Sequence, residues 1–175
     1  MTIKRMSMIS LCAAILTVSV ILVPSISIPA LDLSFTLQTL FVVLIGYYLK
    51  PSDAFFSIMI YVLMGAIGLP VFSQGRGGFS ALLGPSGGFI MLFPIVGFLI
   101  SSFKSKTRNT VYDILIGFIF SIVLLYLMGT LWLSFSIGIG YLQALYGMLV
   151  FLPFDIIKLI LAYTIYRRLP KSSHI

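Results

Sequence analysis

The sequence contains no glutamate, a single cysteine, a single histidine and a single tryptophan, and only 9% of its residues carry charge. Each scarcity excludes a chemistry. His174 stands in a polar tail, which leaves no Ser-His-Asp set, no HExxH helix and no cluster of metal ligands. Asp32, Asp53, Asp113 and Asp155 lie on separate segments and form no carboxylate pair for acid-base work. Cys12, among apolar neighbours, rules out an intramolecular disulfide, a multi-cysteine metal site and a CxxC motif. No GxxxxGK[ST] stretch is present to cradle a nucleotide. The chain is therefore expected to be no enzyme and to hold neither a metal nor a cofactor.

What is abundant is apolar sequence: 60% of 175 residues are hydrophobic and the mean hydropathy is +1.17, well outside the soluble range. Apolar stretches lie at about 8–23, 36–49, 54–69, 88–103, 112–133 and 141–166. They predict an all-α polytopic membrane protein, a six-transmembrane-helix bundle forming one domain over residues 1–175. Lys4 and Arg5 before the first stretch also fit a cleaved leader, but the membrane-like sequence downstream makes a first span the expectation. Lys50-Pro51-Ser52-Asp53 reads as a tight turn, with Ser52 or Asp53 placed to cap the next helix. The net charge of +7 does not read as a nucleic-acid surface, because the basic residues cluster between apolar stretches. Lys4, Arg5, Lys50, Lys104, Lys106, Arg108, Arg167, Arg168 and Lys171 fall on one side and Arg76 on the other. By the positive-inside rule both termini are cytoplasmic, and the connections 24–35, 70–87 and 134–140 face outward.

Two features invite function. Asp155 and Lys158 stand three apart inside the sixth stretch, on one helix face. Ionisable groups at such depth read as a site facing a cavity, or else as a fixed salt bridge between helices; Pro153 beside them is a kink or a means of angling the helix. The segment Gly68–Gly88 holds seven of the fifteen glycines. Irregular backbone between spans is buried in protein or lines a wet cavity, and glycine permits close approach to a ligand. Within it Arg76 is a candidate for an acidic ligand group or a lone solvated arginine, and Phe72 and Phe79 are pocket walls or interface anchors. Gln74, Gly84 and Ser86 belong to the same loop; Thr36 and Gln38 stand at the mouth of the second stretch, as cap and helix-helix contact or as pocket residues. In the first stretch Ser10 and Ala14, and Ala13 and Thr17, are small pairs four apart that suit close helix packing, within the bundle or against a partner.

The segments FTLQTL (35–40), GAIGLPVF (65–72), GGFSALLGPSGG (77–88) and DIIK (155–158) together resemble the BioY family, the biotin-binding S components of energy-coupling factor (ECF) transporters. The resemblance runs from about residue 8 to 168. It implies a prokaryotic, multi-pass plasma-membrane protein that captures biotin, as substrate, from outside and works with a transmembrane T component and two ATPase subunits. It implies that Asp155 and Lys158 bind the ligand; the chemistry of biotin suits Asp155 at the ureido N–H groups and Lys158 at the ureido oxygen, or Lys158 at the carboxylate in the opposite orientation. Thr36, Gln38, Gln74, Arg76, Phe79, Gly84 and Ser86 would complete the pocket, with the glycine loop as a lid. The small residues of the first helix, Ser10, Ala13, Ala14 and Thr17, would meet the T component. The chain departs from the family pattern at Leu33-Ser34-Phe35-Thr36, which lacks a proline, at Ser86 with Phe89, and at Thr17.

Overall fold

Backbone in hydrocarbon must satisfy its own hydrogen bonds, and each apolar stretch does so as a helix. The computed structural model describes residues 2–22, 26–28 and 33–170. Helix α1 spans Ile3–Leu22; a short antiparallel ribbon follows, β1 (Ile26–Ile28) paired with β2 (Leu33–Phe35) in the register Ile26 to Phe35. Then come α2 (Gln38–Tyr48), α3 (Pro51–Ala66), the short α4 (Phe79–Leu83) and α5 (Gly87–Phe103). The chain ends in two long rods. One joins α6 (Thr110–Phe118) to α7 (Leu125–Ile137) through a π-helical turn, Ile119–Leu124. The other joins α8 (Tyr141–Met148) to α9 (Leu152–Arg168) through a 3-10 turn, Leu149–Phe151. Among the described residues, three helical stretches, Ile3–Ile21, Thr110–Ile137 and Tyr141–Arg168, are long and apolar enough to cross a membrane, while α2, α3 and α5 are shorter and also apolar. The all-α expectation holds for the body of the molecule, with β1–β2 an addition in the first connection. Residues 24–25 and 29–32 of that connection, and Lys171 and His174, lie outside the described residues.

Helices α3 and α2 both pack on α5, and α2 also lies along α9. Close approach depends on glycine: a Cβ at Gly97 of α5 would strike Ile58 of α3, and one at Gly117 would strike Tyr47 and Leu159. The core at this crossing contains Tyr47, Ile58, Tyr61, Val96 and Ile100, each fully buried.

The expected cap of α3 takes a different form. Lys50 is the N-cap without a side-chain bond and Pro51 opens the helix, so Ser52 and Asp53 fall inside its first turn. Asp53 instead accepts from Arg5 Nε at 2.6 Å, and Arg5 Nη2 donates to Ser52 at 2.8 Å. The start of α1 is thereby tied to the start of α3. At the same end of the bundle Lys104 Nζ caps α2, donating to the carbonyls of Tyr47 (2.7 Å) and Leu49 (2.6 Å). Arg108 donates to the Leu169 carbonyl beyond α9 at 3.1 Å and stacks over Tyr166 at 4.5 Å. The basic connections thus meet at one end, opposite the glycine loop.

Candidate functional site

Pro153 falls in the first turn of α9, where its missing N–H removes no helix bond, and the 3-10 turn before it tightens the entry. It starts a new helix more than it kinks an old one. This places Asp155 in the first turn of α9 and Lys158 one turn on. Lys158 Nζ donates to Asp155 Oδ1 at 2.8 Å, and the two side chains are 7% and 11% exposed. Asp155 Oδ2 accepts from the Tyr126 hydroxyl at 2.7 Å, and Thr39 Oγ1 reaches Oδ1 at 3.4 Å. Helices α2, α7 and α9 thus converge on one carboxylate.

The cluster forms the polar wall of a cavity enclosing about 660 Å³, its open mouth included. Apolar walls come from Phe89, Ile90 and Phe93 of α5, Leu125 of α7, Met148 of α8 and Phe151. Ser73 and Ser86 bring the two ends of the glycine segment to the same space, and Ser121 adds a hydroxyl from the π-helical turn. Apolar walls with a few converging polar groups suit a small organic ligand that carries both characters.

Of the residues singled out in the sequence, Asp155, Lys158, Thr36, Gln38 and Ser86 line this cavity. Thr36 Oγ1 donates to Gln38 Oε1 at 3.1 Å, Gln38 Nε2 to the Tyr61 hydroxyl at 2.5 Å, and Tyr61 to the Val71 carbonyl at 2.8 Å. A relay of bonds therefore links the cavity wall to the glycine loop. Gln74, Arg76, Phe79 and Gly84 are not among the lining residues. The loop tip folds back through left-handed residues Gln74 (φ 62°) and Gly75 (φ 67°), closed by the Phe72 N–H bonding the Arg76 carbonyl at 3.0 Å. Arg76 donates to Gln74 Oε1 at 3.0 Å, and Phe79 is 66% exposed. Gly84 has another use: its carbonyl accepts from Trp132 Nε1 at 2.9 Å, fastening the loop to α7. Phe72 is an anchor, 1% exposed and edge-on to Tyr61 at 5.7 Å. The small stripe of α1 divides between two faces: Ser10 and Ala14 are exposed, whereas Ala13 is 2% exposed and Thr17 half-buried against the chain's own helices.

The family model described as "BioY family" matches residues 1–174. The chain belongs to the BioY family. Among its relatives, the "Probable biotin transporter BioY" of Pyrococcus horikoshii is 36% identical over 170 residues, covering 97% of this chain and 98% of the relative. The "Biotin transporter BioY" of Thermotoga maritima is 34% identical over 159 residues, covering 91% and 94%. A crystal structure at 2.1 Å of the S-component for biotin from an ECF-type ABC transporter superposes with a TM-score of 0.90 at 31% identity, covering 96% of this chain and 93% of that one. With its apolar helices and transporter relatives, this BioY-family chain is a membrane protein.

Sequence reasoning missed Tyr126, Thr39 and Ser121. Each is a hydroxyl within an apolar stretch, and one of nine tyrosines carries no mark of its own. The π-helical turn that aims Tyr126 has no period legible in the sequence.

Proposed function

We propose that this chain is the S component for biotin uptake: it captures biotin from the outer face and delivers it inward together with an ECF energising module. The observation that carries the reading is the buried Asp155–Lys158 pair, braced by Tyr126, in the wall of an apolar cavity. The family match and the likeness to a biotin S-component support it. Biotin joins a compact ureido-thiophane bicycle to a valerate carboxylate. Its ring system needs apolar walls, and its ureido group needs acceptors for two N–H donors beside a donor for one oxygen. Asp155 supplies acceptance, Lys158 supplies donation, and together they add no net charge. Ser73, Ser86 and the amides of the glycine segment receive the carboxylate at the mouth, with Arg76 adding positive potential and the loop closing as a lid. Gln38 and Thr36 complete the wall. Biotin is cargo, so no cofactor enters.

The chain is one unit of six spans in the plasma membrane, with both termini cytoplasmic. The basic residues gathered at one end of the bundle support that orientation. Its partners are a transmembrane T component and two ATPase subunits, with Ser10 and Ala14 on the exposed side of α1 offering the small-residue contact.

Calorimetry of biotin binding to the purified chain in detergent, beside Asp155→Asn and Lys158→Met, tests the reading. Tight binding by the native chain and a loss of at least about 100-fold in both folded variants, about 3 kcal/mol, is expected. A monodisperse native sample that gives no heat and no thermal stabilisation with biotin would overturn the ligand and send the search to other vitamins.

A further inference from the structure

Tyr126 has a single hydroxyl proton, and the geometry spends it on Asp155 Oδ2 at 2.7 Å. A phenol that donates in this way can meet a third group only through its oxygen lone pairs. Tyr126 is 7% exposed and faces the cavity alongside Asp155, so the lone pairs are presented to whatever occupies that space. Its register is built for this. Ser121 and Tyr126 are five residues apart and both line the cavity, although on an α-helix positions five apart point about 140° away from each other. The π-helical turn Ile119–Leu124 lies between α6 and α7 and absorbs the difference.

We infer that Tyr126 is a specificity-determining residue of the binding site: its oxygen, held as an acceptor by Asp155, reads one N–H of the ligand's ureido group. The inference rests on the biotin reading above and adds a discrimination to it. A cavity with Asp155 alone as acceptor would grip the ligand mainly through one strong charge-assisted contact. With Tyr126 beside it the wall offers acceptors on two different elements, α7 and α9, which suits a group that carries two N–H donors flanking a carbonyl. A ligand with an acceptor atom in place of either N–H sets lone pair against lone pair at a buried wall of the cavity, and such a mismatch is far more costly than a missing contact at a surface.

The test is a ratio of affinities for two nearly isosteric ligands, biotin and its cyclic carbamate analogues in which ring oxygen replaces one or the other ureido N–H. Dissociation constants are measured by calorimetry for the native chain, Tyr126→Phe and Thr39→Val, each checked for an intact melting transition. The native chain is expected to prefer biotin over both carbamates by 100-fold or more. Tyr126→Phe should lower that preference at least tenfold for one carbamate regioisomer and leave it nearly unchanged for the other. Thr39→Val, which removes the 3.4 Å contact to the Asp155 oxygen that Tyr126 does not touch and one hydroxyl of the cavity wall, should shift all three ligands together. A Tyr126→Phe chain that weakens biotin and both carbamates by one common factor would overturn the inference, assigning Tyr126 to support of Asp155 alone. Biotin binding that is unaltered in Tyr126→Phe would overturn it too. Failure of the underlying biotin reading is distinguishable, because the folded native chain would then show no biotin binding before any variant is compared.

Discussion

At the scale of single residues, glycine and phenylalanine decide how the loop over the cavity is held. A Cβ at Gly65 would strike the tip of the Phe72 ring, which is buried and also meets Tyr61 edge-on. The absence of a side chain on α3 is thus what lets the loop plug into the bundle. Gly65→Ala should lower the thermal midpoint in detergent by an amount corresponding to about 1–3 kcal/mol, the usual cost of forcing extra volume into a filled core. Adding Phe72→Leu should recover part of that loss, since the obstructed atoms are the far edge of the ring. A midpoint that Gly65→Ala leaves unmoved would mean that the ring does not seat there. Biotin affinity should fall along with stability in Gly65→Ala, because the relay from Gln38 through Tyr61 to the Val71 carbonyl runs past the same contact.

At the scale of elements, what was legible in the sequence was whatever composition controls, and what escaped was whatever packing controls. The apolar stretches are helical, the last two as pairs of α-helices joined by a π-helical and a 3-10 turn, because lipid leaves an apolar backbone few other choices. Asp155 and Lys158 stood out because charge is rare at that depth. The transfer of Asp53 from a cap to Arg5 escaped because its partner is distant in sequence, whereas the π-helical turn and the short β1–β2 ribbon leave no periodic pattern long enough to read. The C-terminus of α2 is another such case: its closing carbonyls are met by Lys104, more than fifty residues on. Burial pulls the Lys104 ammonium down to about 8, Asp113 opposing and Arg108 reinforcing the shift. Below pH 8 the folded and unfolded chains both carry the proton, so the full penalty of burying it is present. Between pH 8 and the unperturbed value of about 10.5 the unfolded chain holds more protons than the folded one, and stability must rise with pH. The native chain should therefore gain on Lys104→Met by on the order of 2 kcal/mol across that interval, with a constant difference between them from pH 6.5 to 7.5. Melting curves of both proteins from pH 6.5 to 10 check this; a difference that stays flat throughout would show that the lysine keeps its proton in the carbonyl cage.

At the scale of the whole molecule, the two ends of the bundle are built on different physics. One end is bolted: Arg5 to Asp53, Lys104 to the end of α2, and Arg108 to the end of α9 beside stacked Tyr47 and Tyr166 at 5.3 Å. The other end is a loop with left-handed turns at Gly68, Gly75 and Gly78, joined to the bundle through Phe72, the Tyr61–Val71 bond, the Gly78–Gly65 bond and the Trp132–Gly84 bond. Helix ends tied in this way open only by breaking those ties, whereas an irregular loop can release a ligand's entrance without unpacking the core. In the proposed reading capture belongs to the glycine-loop end, which must then face outward for the chain to take up its ligand from outside. Cysteine labelling tests the orientation directly. In a Cys12→Ser background, Ser80→Cys beside the loop and Thr107→Cys beside the basic connection each add one exposed thiol. A membrane-impermeant maleimide applied to intact cells should modify Ser80→Cys and spare Thr107→Cys until the membrane is permeabilised. The reverse pattern would place the cavity mouth in the cytoplasm and would sink outward capture together with the positive-inside assignment.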